Sequence, residues 1–317
     1  MRLRNTLVLA FVFLLLAAYV YFFELPKNPK EKNGKLLNFK QEEVEGVILN
    51  YPQLEIRLHR EPPGRWKTTR PLEAAADEAA VGAILSALNS IEIKRTVEEK
   101  PSAADLKNYG LDSPAVKVLI SLRNGAALPP VSVGGRTPVG NSVYVRRGAE
   151  TAVFLTDASL RSNLDKKLND FRDKRILEFR QEAVKQLLLR GAKGDFDLSK
   201  KGEDWYIDRP KLYRADQSEI QGLLSTLRSM SAQDFIEDSP PDLKKYGLDK
   251  PRLKVAVYMG EPEGHREVLF GNKREGKDEV YLVSDPKGTV YTVYESILRQ
   301  LEKDLDALRD KKEETKK

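Results

Sequence analysis

From Phe39 onward the chain repeats itself. Residues 39–44 read FKQEEV and residues 179–184 read FRQEAV. Trp66 and Pro71 recur as Trp205 and Pro210, and Asp77, Val81, Ile84, Leu85 and Leu88 as Asp216, Ile220, Leu223, Leu224 and Leu227. LKNYGLDSP at 106–114 returns as LKKYGLDKP at 243–251. Gly134 and Tyr144 return as Gly271 and Tyr281, and Ser159, Leu164, Leu168, Arg172 and Asp173 as Ser296, Leu301, Leu305, Arg309 and Asp310. The offset drifts only from 140 to 139 to 137, so two small indels align the copies. A long internal period of this kind sets the architecture before any motif is considered. It predicts two homologous domains, 38–177 and 178–312, each long enough to bury a core of its own.

Both copies follow one local plan. Each opens with a short helical or extended piece containing Val44 or Val184. Alternating strand patterns follow, LEIRLH and RWKTT in the first copy, FDLSK and DWYID in the second. An amphipathic helix comes next, with apolar residues at 81, 84, 85 and 88 or at 220, 223, 224 and 227. Asp77 and Asp216 stand where its N-cap belongs. The later part is rich in β-branched alternation (VKVLISL, SVYVRR, AVFLTD; LKVAVYM, EVYLVS, TVYTVY). A closing helix is expected to carry Leu160, Leu164, Leu168 and Phe171, or Ile297, Leu301, Leu305 and Leu308. The fold class this implies is α+β, two mostly antiparallel sheet-plus-helix repeats.

The best-matched segment reads as a structural turn. Ser102 and Ser239 are placed to cap a short helix, and Pro240 falls at its first position, where a missing N–H is harmless. Asp105 and Asp242 suit the first turn. Gly110 and Gly247 end the helix in the left-handed conformation, Leu111 and Leu248 supply the apolar contact beyond it, and Pro114 and Pro251 forbid continuation. The pattern Trp66, Pro71, then Tyr109, Gly110, Leu111, Asp112 and Pro114, then Gly134 and Tyr144, is repeated as Trp205, Pro210, Tyr246, Gly247, Leu248, Asp249, Pro251, Gly271 and Tyr281. This pattern resembles the bacterial domain-of-unknown-function 4340 family, over nearly all of residues 38–310. The resemblance implies a single N-terminal membrane span and an association with ABC-transporter components, including gliding-motility-like ones. It implies no catalytic residues.

The residues before the repeats carry a membrane signal. Thr6 to Phe23 is an uncharged run of 18 residues. As a helix it spans about 27 Å, close to a bilayer core. Arg2 and Arg4 precede it without an opposing acid, and Tyr19, Tyr21, Phe22 and Phe23 crowd its far end like an aromatic belt. This predicts a cytoplasmic stretch 1–5, an uncleaved signal anchor 6–23, a linker 24–37 and extracytoplasmic domains, ending in a disordered tail 313–317. The chain is then single-pass in the inner membrane. Lys27, Lys30, Lys32 and Lys35 after the span oppose that orientation, but the first segment usually sets topology. A cleaved signal peptide is the alternative, yet no Ala-x-Ala stands near the end of the run.

Composition removes most chemistry. With no Cys, disulfides, thiol catalysis, cysteine metal sites and a lipoprotein anchor are excluded. Two His, His59 and His265, lie at unmatched positions, so no metal site is expected. A net charge of +6 without a clustered basic stripe does not suggest nucleic acid. Gly271 to Gly276, with Lys277 and Asp278, mimics a phosphate loop. It has Asp where Ser or Thr is needed, and a strand pattern follows, so no nucleotide is expected. Repeated acids at 77/216, 105/242 and 112/249 read as caps and turns, and 173/310 as surface ion pairs within the closing helix. No cofactor and no catalytic residue is expected. The functional expectation is a binding or scaffold protein with a protein partner in the membrane or envelope, contacted through sheet edges and the groove between the units. The alternative is a cell-wall or glycan-binding module, or a glycan hydrolase, using Trp66, Trp205 and the acids.

Overall fold

The computed structural model describes residues 34–284 and 288–311. The expected anchor at 6–23, the residues around it and the tail 313–317 lie outside them. Among the described residues no helix is long and apolar enough to cross a membrane. The chain divides into two compact units between Asp173 and Lys174. Leu36 and Leu37, assigned to the linker from sequence, are buried in the first core, and Ile176 and Leu177 in the second. Each domain therefore starts before residues 38 and 178, because these apolar pairs need a core to cover them.

The first unit holds strands β1 (Val44–Tyr51), β2 (Leu54–Glu61), β3 (Arg65–Arg70), β4 (Ala74–Ala75), β5 (Arg95–Glu98), β6 (Val116–Leu122), β7 (Val131–Arg136), β8 (Ser142–Arg147) and β9 (Val153–Asp157). They form one sheet in the order β4-β3-β2-β1-β6-β7-β8-β9-β5. The second unit repeats this with β10 (Val184–Gly191), β11 (Gly194–Lys201), β12 (Asp204–Arg209), β13 (Tyr213–Arg214), β14 (Asp234–Asp238), β15 (Leu253–Met259), β16 (His265–Lys273), β17 (Glu279–Val283) and β18 (Thr289–Tyr294). Its order is β13-β12-β11-β10-β15-β16-β17-β18-β14. The neighbours in both sheets are antiparallel. The expected α+β class with two antiparallel repeats is what the structure shows.

Alternation builds the sheets. In β2, Ile56 and Leu58 face the core while Glu55 and Arg57 point away, and β11 does the same with Phe196 and Leu198. Against the core face lie helices α1 (Glu78–Ser90) and α4 (Gln217–Ser229). Val81, Ile84, Leu85 and Leu88 of α1, and Ile220, Leu223, Leu224 and Leu227 of α4, are buried as their spacing predicts. Each such side chain contributes about 1.5–3 kcal/mol. Asp77 caps α1 by accepting from the amides of Ala79 and Ala80 at 2.8 and 3.1 Å, and Asp216 caps α4 from Ser218 and Glu219 at 3.0 and 3.1 Å.

The closing helices are shorter than expected. α3 (Ser159–Leu164) stops at Leu164, and a short 3-10 turn, Leu168–Asp170, follows. In the second unit α5 (Glu295–Leu301) is separated from α6 (Leu305–Leu308), because Asp304 caps α6 by accepting from the Ala307 amide at 2.9 Å. Asp173 and Asp310 are accordingly not helical. Their amides donate to the carbonyls of Ala75 and Arg214, each at 2.9 Å, and lace the final segment of each unit to the outer edge of β4 or β13. Ala76 bridges Arg172, and Ala215 bridges Arg309, at the same place. One sheet edge is thereby covered in both units, and β5 and β14 remain as the opposite edges.

Candidate functional site

The matched residues of the Tyr-Gly-Leu-Asp segment converge on one construction. In the first unit, α2 (Ala103–Asn108) begins at Ser102, whose hydroxyl accepts from the Asp105 amide at 3.2 Å. Asp105 returns the bond, accepting from the Ser102 amide at 2.9 Å and the Ser102 hydroxyl at 2.7 Å. These bonds hold the Asp105 carboxyl below the usual carboxylate range. Gly110, at φ +66°, ends the helix. Its amide donates to the Lys107 carbonyl at 3.0 Å and that of Leu111 to the Leu106 carbonyl at 2.8 Å. This is a Schellman cap. Gly247, at φ +68°, makes the same pair of bonds, to Lys244 at 2.9 Å and from Leu248 to Leu243 at 3.1 Å.

The cap then docks on the sheet. The Tyr109 carbonyl accepts from the Gly135 amide at 2.7 Å, and beyond Pro114 the Ala115 amide donates to Val133 at 2.9 Å. In the second unit Arg252, after Pro251, donates to Phe270 at 2.7 Å. β7 and β16 are bulged where the cap sits, between Val133 and Arg136 and between Phe270 and Lys273. Bulges of this kind bend a strand and leave a residue unpaired to meet another element. The Tyr109 ring stacks on Tyr144 of β8 with centroids 4.5 Å apart, and Tyr246 packs on Tyr281 of β17 at 5.0 Å. Tyr144 and Tyr281 were visible as matched positions, but their partners across the sheet were not.

The two copies differ around this turn. In the second unit Ser239 does not cap a helix. It has φ +50°, and only a 3-10 turn, Lys244–Tyr246, forms. Pro241 explains this, since a proline pushes the residue before it, here Pro240, out of the helical region. Asp242 instead accepts from the Lys244 amide at 2.8 Å. Tyr246 is buried, and its hydroxyl donates to the Glu237 carboxylate of β14, which Lys245 also reaches. Burial first, and then Glu237, raise the Tyr246 pKa, while Lys245 and Tyr246 lower that of Glu237. Glu98 of β5 holds the place of Glu237, pairing with Val153 as Glu237 pairs with Val290. Sequence reading passed over this glutamate pair because nothing local marks it.

The remaining matched residues are accounted for by packing. Trp66 and Trp205 are 4% and 1% exposed, so neither ring is available to stack on a sugar. The Gln217 side chain brackets the Trp205 backbone, accepting from its amide at 2.8 Å and donating to its carbonyl at 3.1 Å. Pro71 and Pro210 both follow cis peptide bonds, to Arg70 and Arg209. Asp112 and Asp249 are exposed and their carboxylates make no hydrogen bond, so the turn role expected for them is not a bonded one. The stretch from Gly271 to Asp278 is the β16–β17 hairpin, with Lys273 paired to Asp278 and Glu295 at 3.1 and 2.7 Å. His59 lies in β2, and His265 in β16 stacks on Tyr258 at 5.2 Å. Among the described residues no three His, Asp or Glu side chains gather as metal ligands would.

A family model described as Domain of unknown function (DUF4340) matches the chain twice, over residues 66–209 and 205–315. The two matches open on Trp66 and on Trp205, the same position of the repeat. No curated protein and no solved structure matches the chain.

Proposed function

The chain belongs to the domain-of-unknown-function 4340 family, and from that premise we propose that it is a membrane-anchored, extracytoplasmic scaffold that binds a protein partner without catalysing a reaction. Residues 6–23 anchor it in the inner membrane, and the two domains stand outside. The partner is a subunit of an ABC-transporter-like complex, of the gliding-motility-like kind.

The observation that carries this reading is the fate of the duplicated residues. Nearly every side chain retained in both copies is spent on a cap, a docked turn or the core. Duplication followed by selection for a reactive site would leave a shared reactive cluster. Here what is shared is shape, and what varies is the surface around it. The sheet edges β5 and β14 are the docking lines, since an edge strand presents unpaired backbone groups to a partner. The glycan alternative rests on exposed tryptophans, and with both rings inside the cores no observation favours it.

Chemical crosslinking in native membranes, read by mass spectrometry, tests the proposal. Recovery of transporter subunits linked to residues of either domain supports it. Recovery of no transporter subunit, with the full-length protein demonstrably crosslinked elsewhere, overturns it.

A further inference from the structure

We propose that Arg60 and Arg123 of the first unit form a binding site for a compact oxyanion, a carboxylate or a phosphate. The inference uses the first unit alone and does not depend on the partner reading above. Arg60 lies near the end of β2 and Arg123 directly follows β6. Both strands pair with the bulged start of β1, whose register to β6 shifts between Val44 and Gly46. The two side chains line one surface depression together with Glu45, His59, Glu61 and the turn through Pro62, Pro63 and Gly64.

Arg60 is held ready rather than satisfied. Its guanidinium sits 4.8 Å from the centroid of the Trp66 ring, and one terminal nitrogen donates to the Glu42 carbonyl at 3.2 Å. Its Nε is buried with no acceptor. Neither Arg60 nor Arg123 has an ion-pair partner among the described residues. Burial first, and the neighbouring Arg123 second, disfavour the charged form of Arg60, partly offset by Glu78 and Glu42. The two guanidinium groups facing this depression repel each other and leave donors unused, because Glu61 is paired with Lys67 and Glu45 makes no ion pair with either arginine. An oxyanion between them supplies acceptors and relieves the repulsion, and the planar fork of arginine suits its two oxygens.

The second unit provides an internal comparison. The positions matching Arg60, Arg123 and Glu45 are Lys200, Gly260 and Lys185, so the second copy has lysines and no guanidinium fork there, and Lys200 is paired with Glu203 at 3.5 Å. The site therefore belongs to the first copy. Glu45 lines the same depression and opposes an incoming anion, which gives a variant expected to improve binding.

The test is a titration of the full-length protein with inorganic phosphate and, separately, with acetate, followed calorimetrically at low ionic strength. Saturable binding of at least one anion is expected, and the one that saturates identifies the ligand class. Arg123→Gln, at an exposed position, should weaken it about tenfold or more while leaving the unfolding midpoint unchanged. Glu45→Gln should tighten it. Absence of saturable binding by either anion overturns the proposal. Equal affinity in wild type and Arg123→Gln does so as well, as does a Glu45→Gln variant that binds no more tightly.

Discussion

The carbonyl oxygen of Tyr109 and the backbone of Gly134 are so close that a Cβ added at Gly134 would stand 2.4 Å from that oxygen. The same contact recurs between Tyr246 and Gly271, where the distance would be 2.2 Å. Both obstacles are backbone atoms, so a rotamer change cannot relieve them. Gly134→Ala and Gly271→Ala should each destabilise their own unit by about 1–3 kcal/mol. Gly82→Ala is the control, because a Cβ there meets nothing within 4 Å and alanine favours the α1 interior by about 0.5–1 kcal/mol. Denaturant unfolding monitored by hydrogen exchange, which reports each unit separately, distinguishes the opposite signs.

Asp77 and Asp216 each satisfy two otherwise unpaired amides at the start of α1 and α4. Replacing either with alanine should cost about 1 kcal/mol of that unit's stability. Exchange should accelerate first at Ala79 and Ala80, or at Ser218 and Glu219.

Asp112 and Asp249 are retained in both copies and yet bond to nothing. Alanine at either position should change stability by less than about 0.5 kcal/mol. If the double variant folds normally but loses its crosslinks in membranes, the pair belongs to the docking surface. A large drop in stability would return both residues to a folding role.

Asp157 gives the fold a pH dependence. Hydrogen bonds from the Ser159 amide at 2.9 Å and from Lys94 at 3.0 Å lower its pKa to about 2. The folded value lies below the unfolded one, near 3.9. The stability it contributes is thus complete above about pH 4 and is lost as pH falls towards 2. The carboxylate is solvent-accessible, so the effect is small. Asp157→Asn should be less stable than wild type at pH 6, and the difference should shrink between pH 4 and pH 2 in parallel denaturation curves.

Much of this fold was legible because it is written twice. The helix stripes at 81–88 and 220–227, the caps at 77 and 216 and the turn ended by Gly110 or Gly247 depend on local spacing, which one chain displays directly. The pairing of β1 with β6 was not legible, since Val44 meets Leu122 across a long stretch of chain and nothing local marks the partner. The closing helix was overextended because Leu160, Leu164, Leu168 and Phe171 keep helical spacing through a break. The core takes residues from a helix and a turn at similar intervals, and the Asp304 cap that starts a new helix looks like any surface acid. The Arg60–Arg123 pair escaped notice for the same reason as Glu98 and Glu237. Its members come from different strands, and only the sheet brings them together.

The most direct test of the scaffold account is site-specific photocrosslinking from the edge of the first sheet in native membranes. A photoreactive residue at Thr96, exposed on β5, should link to a transporter subunit, whereas one at Ser86, exposed on α1 away from that edge strand, should not. Crosslinks to no transporter subunit from Thr96, or equal yields from the two positions, would contradict the account.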